Sequence, residues 1–240
     1  MNSEKIKYIC KCGASFIRPH YFKNHMNICS NNIENIENIE NLKIDDEKKN
    51  INNLVIVAHP DDESIWCDEK LCENTHVIVV FGFSKLGLET AKIRSNEFIN
   101  AMKIVGCSYE IWNYREKQLR INNNILNEIN IRIKNEIDKY KNIKTVYTHN
   151  YYGEYGHIDH LRIHQIVKTI YNEYYNNKSF LKFYQFNPSL NYNNHDRFFN
   201  IPFQEASKKR KKLLDCYKSQ TINIYKNIVT NFIELNASLI

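Results

Sequence analysis

The sequence predicts an α/β fold: a Rossmann-like, doubly wound, mostly parallel sheet, preceded by a small amino-terminal ββα zinc finger. Three observations predict it. Short apolar runs alternate with amphipathic helical stretches over residues 53–240, the order that builds parallel sheets. Two of those runs end in dense polar clusters, at the carboxyl ends of strands where such sheets bind ligands. Three of the 7 cysteines and two of the 9 histidines crowd into residues 1–30. The expected domains are therefore a finger at 1–30, a low-complexity linker at 31–52 and a catalytic-type domain at 53–240.

Leu54–Ala58 and Val77–Phe81 are β-rich apolar runs that read as buried parallel strands. Residues 87–105 read as a helix, with Ile93, Phe98, Ala101, Met102 and Val105 broadly on one face. Residues 123–141 form a second amphipathic helix. Thr145–Thr148 is a third strand, followed by a glycine-containing loop and a helix over about 159–172. Phe180–Phe186 reads as a further strand and residues 205–218 as a helix. Residues 31–52 repeat Ile-Glu-Asn three times with few large apolar anchors, the mark of a solvated linker or frayed helix.

The chain has 240 residues, 42% hydrophobic and 25% charged, which suffices for a packed core. A net charge of +6 fits anionic partners without requiring one. No stretch approaches ~18 apolar residues, so no membrane span is expected. No apolar segment follows Met-Asn-Ser-Glu-Lys, so a cytoplasmic location is expected, where clustered cysteines read as metal ligands before disulfides.

The first strand runs straight into His59-Pro-Asp-Asp-Glu63. Four ionisable residues at the end of a buried strand repel one another and resist burial, and a divalent cation resolves that conflict. His59 and Asp62, three apart, share one side of a turn and suit zinc. Asp61 between them is placed to accept a proton from an activated water. The alternative is a solvated Asp-rich turn whose Asp61 or Asp62 caps a helix. The third strand ends in His149-Asn-Tyr-Tyr-Gly-Glu-Tyr-Gly-His-Ile-Asp-His160. His160 would complete a three-ligand set with one position open, as catalytic zinc sites keep. Asp159 is positioned to fix an imidazole's tautomer. His149 and His164 read equally as packed or loop histidines.

Together, Ala58-His-Pro-Asp-Asp-Glu63 and Gly156-His-Ile-Asp-His160 resemble the zinc-dependent de-N-acetylases of the PIG-L/LmbE family. Arg94-Ser-Asn-Glu97 with Ala101 and Gly106 is similar to that family's Arg-x-x-Glu helix, and Tyr217-Lys-Ser-Gln220 to its late Tyr-x-Ser-Gln segment. The resemblance covers about residues 53–221. It implies a zinc amidohydrolase acting on an N-acetylglucosamine-containing conjugate. It further implies that His59, Asp62 and His160 hold the metal and that Asp61 is the general base. His157 would stabilise the oxyanion and protonate the leaving amine, Asp159 would orient His157, and Arg94 would contact substrate. Two positions depart from the family pattern. Ser64-Ile-Trp-Cys-Asp68 stands where Gly-Gly is common, so Trp66 and Cys67 bear on pocket size, and Ile158 replaces a common proline.

Cys10, Cys12, His25 and Cys29, with Phe16 and Phe22, resemble a C2H2-type finger in its Cys-Cys-His-Cys form, with one residue rather than two between the first cysteines. Such a segment folds only with metal, which implies a structural zinc beside the catalytic one. Its partner would be nucleic acid or protein. Three functions compete: a de-N-acetylase, an amide hydrolase on a non-sugar substrate, and a finger-dominated nucleic-acid-binding protein with a vestigial hydrolase domain. Lys208–Lys212 reads as a phosphate-contacting run or as the solvated face of a helix.

Overall fold

The computed structural model describes residues 8–9, 15–16, 50–117, 123–188, 207–220 and 230–235. The chain divides into two compact units, Met1–Leu42 and Lys43–Ile240. In the first, β1 (Tyr8–Ile9) and β2 (Ser15–Phe16) pair antiparallel, Tyr8 opposite Phe16. Cys10, Cys12, His25 and Cys29 lie outside the described residues.

The second unit is built on a six-stranded sheet of β3 (Asn53–Val57), β4 (Thr75–Val79), β5 (Ser108–Ile111), β6 (Thr145–Thr148), β7 (Lys182–Pro188) and β8 (Thr230–Glu234). Its order is β5-β4-β3-β6-β7-β8, parallel throughout except for the antiparallel edge strand β8. The helices are α1 (Asp62–Trp66), α2 (Leu88–Val105), α3 (Asn123–Lys139), α4 (Ile158–Ile170) and α5 (Lys208–Leu214).

Side-chain alternation along the strands explains the two faces. Val55, Val57, Val77 and Val79 pack with Phe98, Ala101 and Met102 of α2 and Leu213 and Leu214 of α5. Leu54, Ile56, Ile78 and Val146 face the other way, onto Ile129, Ile133 and Ile137 of α3 and Ile163, Val167 and Ile170 of α4. Helices cover both faces, so the central strands β3 and β4 are largely apolar on both sides. Ile133→Val is expected to lower unfolding stability by about 0.5–1.5 kcal/mol in a urea titration, the cost of one buried methyl group.

Several expectations shift. Ile93 is 50% exposed, off the buried face of α2. The second strand starts earlier than expected, at Thr75, and Phe81 lies beyond it in an isolated bridge to Asn113. The helix expected over 205–218 is only Lys208–Leu214. Strands β5 and β8 were not expected. Ile51 is buried, and Asn52 bonds to Asn74, Lys144 and Thr145, so the ordered contacts begin ahead of β3. Within Lys208–Lys212 the run is not uniformly solvated: Arg210 is buried against Asp68 at 2.9 Å, and Lys209 reaches the Leu71 carbonyl. No helix among the described residues is long and apolar enough to cross a membrane.

Candidate active site

The strand order reverses direction between β3 and β6, and ligands bind beyond the carboxyl ends of strands at such a switch point. The loop after β3 carries His59 to Glu63, and the loop after β6 carries His149 to His160. Adjacent parallel strands thus bring together two segments a hundred residues apart.

His59 Nδ1 lies 3.3 Å from Asp62 Oδ2 and 3.3 Å from His160 Nε2, and His160 Nε2 lies 3.3 Å from Asp62 Oδ1. Ligands about 2.0–2.1 Å from a tetrahedral zinc stand about 3.3–3.4 Å apart, so the spacing fits that ion. The outward nitrogens fit equally well. His59 Nε2 faces Asp159 Oδ2 at 3.2 Å, and His160 Nδ1 faces Glu154 Oε2 at 2.6 Å. Each carboxylate is placed to accept a hydrogen bond from one ring nitrogen, which turns the other nitrogen inward, the arrangement that metal-binding histidines favour. Asp62 is fixed as well: its Oδ2 accepts the His59 amide at 2.8 Å and its Oδ1 the Trp66 indole N–H at 3.2 Å.

Two neighbouring imidazoles also stand close enough to share an ion with these residues, but each has one ring nitrogen engaged by a backbone amide. His149 Nε2 accepts the Ala58 amide at 2.9 Å, so its lone pair is taken. His157 caps α4, its Nδ1 accepting the Asp159 amide at 3.3 Å, which leaves an Nε2–H donor. His157 sits edge-on to His59, with ring centroids 4.8 Å apart.

The electrostatics follow from burial and these contacts. Burial and then the charge of Asp62 push the Asp61 carboxyl up to about 8, against the pull of Arg94. Burial, then His160 and His59, hold His157 down to about 3, so it is neutral at ordinary pH. Burial opposes charge on Asp62, yet His160 and His59 keep it well below the usual carboxylate range. Burial likewise opposes charge on His160, but Asp62 and Glu154 raise it to about 10.

Two expected roles change. The Asp159 carboxylate orients His59 rather than His157; its other bonds come from the Lys117 amide at 3.3 and 3.2 Å, and only its own amide meets His157. Arg94 is held within the protein, its guanidinium 2.7 Å from Glu116, 3.2 Å from the Pro60 carbonyl and 3.6 Å from Asp61. It braces Asp61 while still lining the cleft.

The same contacts explain the helix motifs. Tyr217 donates to Glu63, Gln220 Nε2 reaches the Pro60 carbonyl at 3.1 Å, and Ser219 bonds Glu97 through both its amide and its hydroxyl. The Arg94–Glu97 and Tyr217–Gln220 segments therefore clasp the loop that carries Asp61. That loop needs a clasp: Asp61 has φ 131, a conformation costly for a residue with a side chain and held only by its surroundings. Trp66 is fully buried while lining the cleft, and Cys67 packs in the core beneath. Trp66 thus supports Asp62 from one wall rather than plugging the opening. The cleft, about 360 Å³, is also lined by Ser84, Lys85, Tyr155 and His157. Sequence reasoning missed Glu154, Trp66 and Glu116 as supports; only the dense polar composition of their segments pointed to them.

The chain is 36% identical over 134 residues to an uncharacterized protein of Acanthamoeba polyphaga mimivirus, a match covering 50% of this chain and 57% of that protein. Little more than half of that relative is therefore spanned. Among solved structures, the fold is similar to the A40926 pseudoaglycone deacetylase, with TM-score 0.53, 14% identity and coverage of 73% of this chain and 85% of that one. It is also similar to a deacetylase from teicoplanin biosynthesis in complex with teicoplanin, with TM-score 0.56, 11% identity and coverage of 78% and 99%. The family model PIG-L, GlcNAc-PI de-N-acetylase, matches residues 54–171, a span that includes both polar loops.

Proposed function

We propose that the chain is a zinc-dependent hydrolase that removes the N-acetyl group from an N-acetylglucosamine-containing conjugate. The observation that carries this reading is the set of inward-facing donors of His59, Asp62 and His160, 3.3 Å apart, with Asp61 beside them. Description of the matching family as a GlcNAc-PI de-N-acetylase supports the reaction class and the sugar.

Zinc held by these three residues would polarise the acyl carbonyl and acidify the attacking water. Asp61, its carboxyl raised by burial, takes the proton as the water oxygen bonds to the carbonyl carbon. The Nε2–H of His157 donates to the oxygen on which negative charge grows. The C–N bond then breaks as the nitrogen gains the proton that Asp61 took from the water, and acetate and the free amine leave. Arg94, Glu97, Tyr217 and Gln220 hold the base in place. Cys10, Cys12, His25 and Cys29 would hold a second, structural zinc in the amino-terminal finger.

The test is elemental analysis of the full chain together with acetate release from a panel of N-acetylglucosamine conjugates. Two zinc equivalents, falling to one in Cys12→Ala/Cys29→Ala, and acetate release abolished by chelation support the reading. A zinc-loaded protein inert on the whole panel overturns it. Release from N-acetylated amines that lack a sugar would leave the mechanism and replace the substrate.

A further inference from the structure

Glu154 is the least expected residue of the site. It is fully buried and lies in the helical turn Gly153–Gly156 with φ 56 and ψ −62, a conformation that a residue with a Cβ resists. Its carboxylate is spent on neighbours that share one purpose. Oε2 accepts from His160 Nδ1 at 2.6 Å and from His149 Nδ1 at 2.9 Å, while Oε1 accepts the Asn150 amide at 2.8 Å. The two imidazoles it joins are stacked, with centroids 3.9 Å apart and planes at 20°. His149 is pinned from its far side by the Ala58 amide, directly before His59, and its Nε2 lies 3.6 Å from Asp62 Oδ2. One carboxylate therefore ties the β6 loop to the end of β3 through two parallel rings, one of which belongs to the ligand set.

We infer that Glu154 is a positioning residue that sets the affinity of the site for its metal: it fixes the His160 tautomer and, by holding His149 flat against His160, the tilt of that ring. The inference rests on the metal-site reading above. The strained backbone at position 154 fits this role, since strained residues persist where their surroundings over-determine them. Partners of this kind, one bond removed from the ion, typically change metal affinity 10–100-fold when lost.

Two substitutions separate this role from a packing role. Glu154→Gln keeps the shape, but its amide offers one acceptor oxygen and places a donor where an acceptor stood. Glu154→Gly deletes the carboxylate and relieves the strain, since glycine adopts φ 56 freely. Zinc dissociation constants are measured on the full chain by competition with a chromophoric chelator, alongside thermal unfolding of the chelated protein. Both variants are expected to bind zinc at the three-ligand site about 10–100-fold more weakly. Glu154→Gly is expected to unfold in the chelated state no earlier than Glu154→Gln. The deficit in acetate release should shrink as zinc is raised, the signature of weakened loading. If both variants hold zinc as tightly as the parent chain, the inference is overturned while the metal site stands. If the parent chain shows no zinc that is lost in Asp62→Ala, the metal site and the inference fall together.

Discussion

Asp61→Asn is expected to lower acetate release about 10²–10⁴-fold, the usual contribution of a positioned general base, while zinc content stays at the parent value. Asparagine suits the comparison because it keeps the shape of the side chain while removing its basicity, at a backbone position, φ 131, that few other residues would accept. The same variant has a stability signature in chelated protein. Asp61 is raised to about 8 in the folded chain by burial and by Asp62. A carboxyl whose folded pKa lies above its unfolded one binds its proton more tightly when folded. Its contribution is therefore fully present below about pH 4 and is lost as pH rises through about 8. Chelated protein should lose stability across that window in urea titrations at several pH values, and Asp61→Asn should flatten the decline. A flat parent profile would mean that the Asp61 environment is wrongly described.

His157→Phe is expected to cost about 10²–10³-fold in kcat, the range for loss of one donor to a developing oxyanion, with zinc affinity little changed. Metal retention is the informative half. The His157 ring lies close to both His59 and His160, with centroids 4.8 and 4.7 Å away. If His157 were a ligand, its removal would release zinc. Its Nδ1 is instead committed to the Asp159 amide, so the variant should keep the ion and lose rate. Zinc loss in His157→Phe would exchange the roles of His157 and one of the proposed ligands.

The parts of this site that were legible in the sequence are contiguous. His59 to Glu63 and His149 to His160 each place a dense polar segment after a strand end, and the alternation of apolar runs implies a parallel sheet in which such ends lie on one side. What was not legible depends on which side chain meets which across the fold. Nothing local says that Asp159 faces His59 rather than its neighbour His157, or that Arg94 is held by Glu116. Nothing says that Glu154, two residues from a tyrosine pair, lies under two imidazoles. Strand β5 escaped notice for a physical reason: Ser108 and Glu110 are buried within it, Ser108 meeting His76 at 2.9 Å and Glu110 Oε2 accepting the Trp112 indole N–H at 3.0 Å, so it lacks the apolar run of its neighbours. Ile93 shows the opposite error, an apolar residue at helical spacing that faces solvent.

We propose that two distant loops converge on one divalent ion. This is tested most directly by a crystal of the full chain grown with zinc and measured at the zinc absorption edge. An anomalous peak is expected about 2.0–2.2 Å from His59 Nδ1, His160 Nε2 and one carboxylate oxygen of Asp62, with a fourth position open toward the cleft. A peak ligated instead by His149 or His157, or its absence between the two loops, would contradict it.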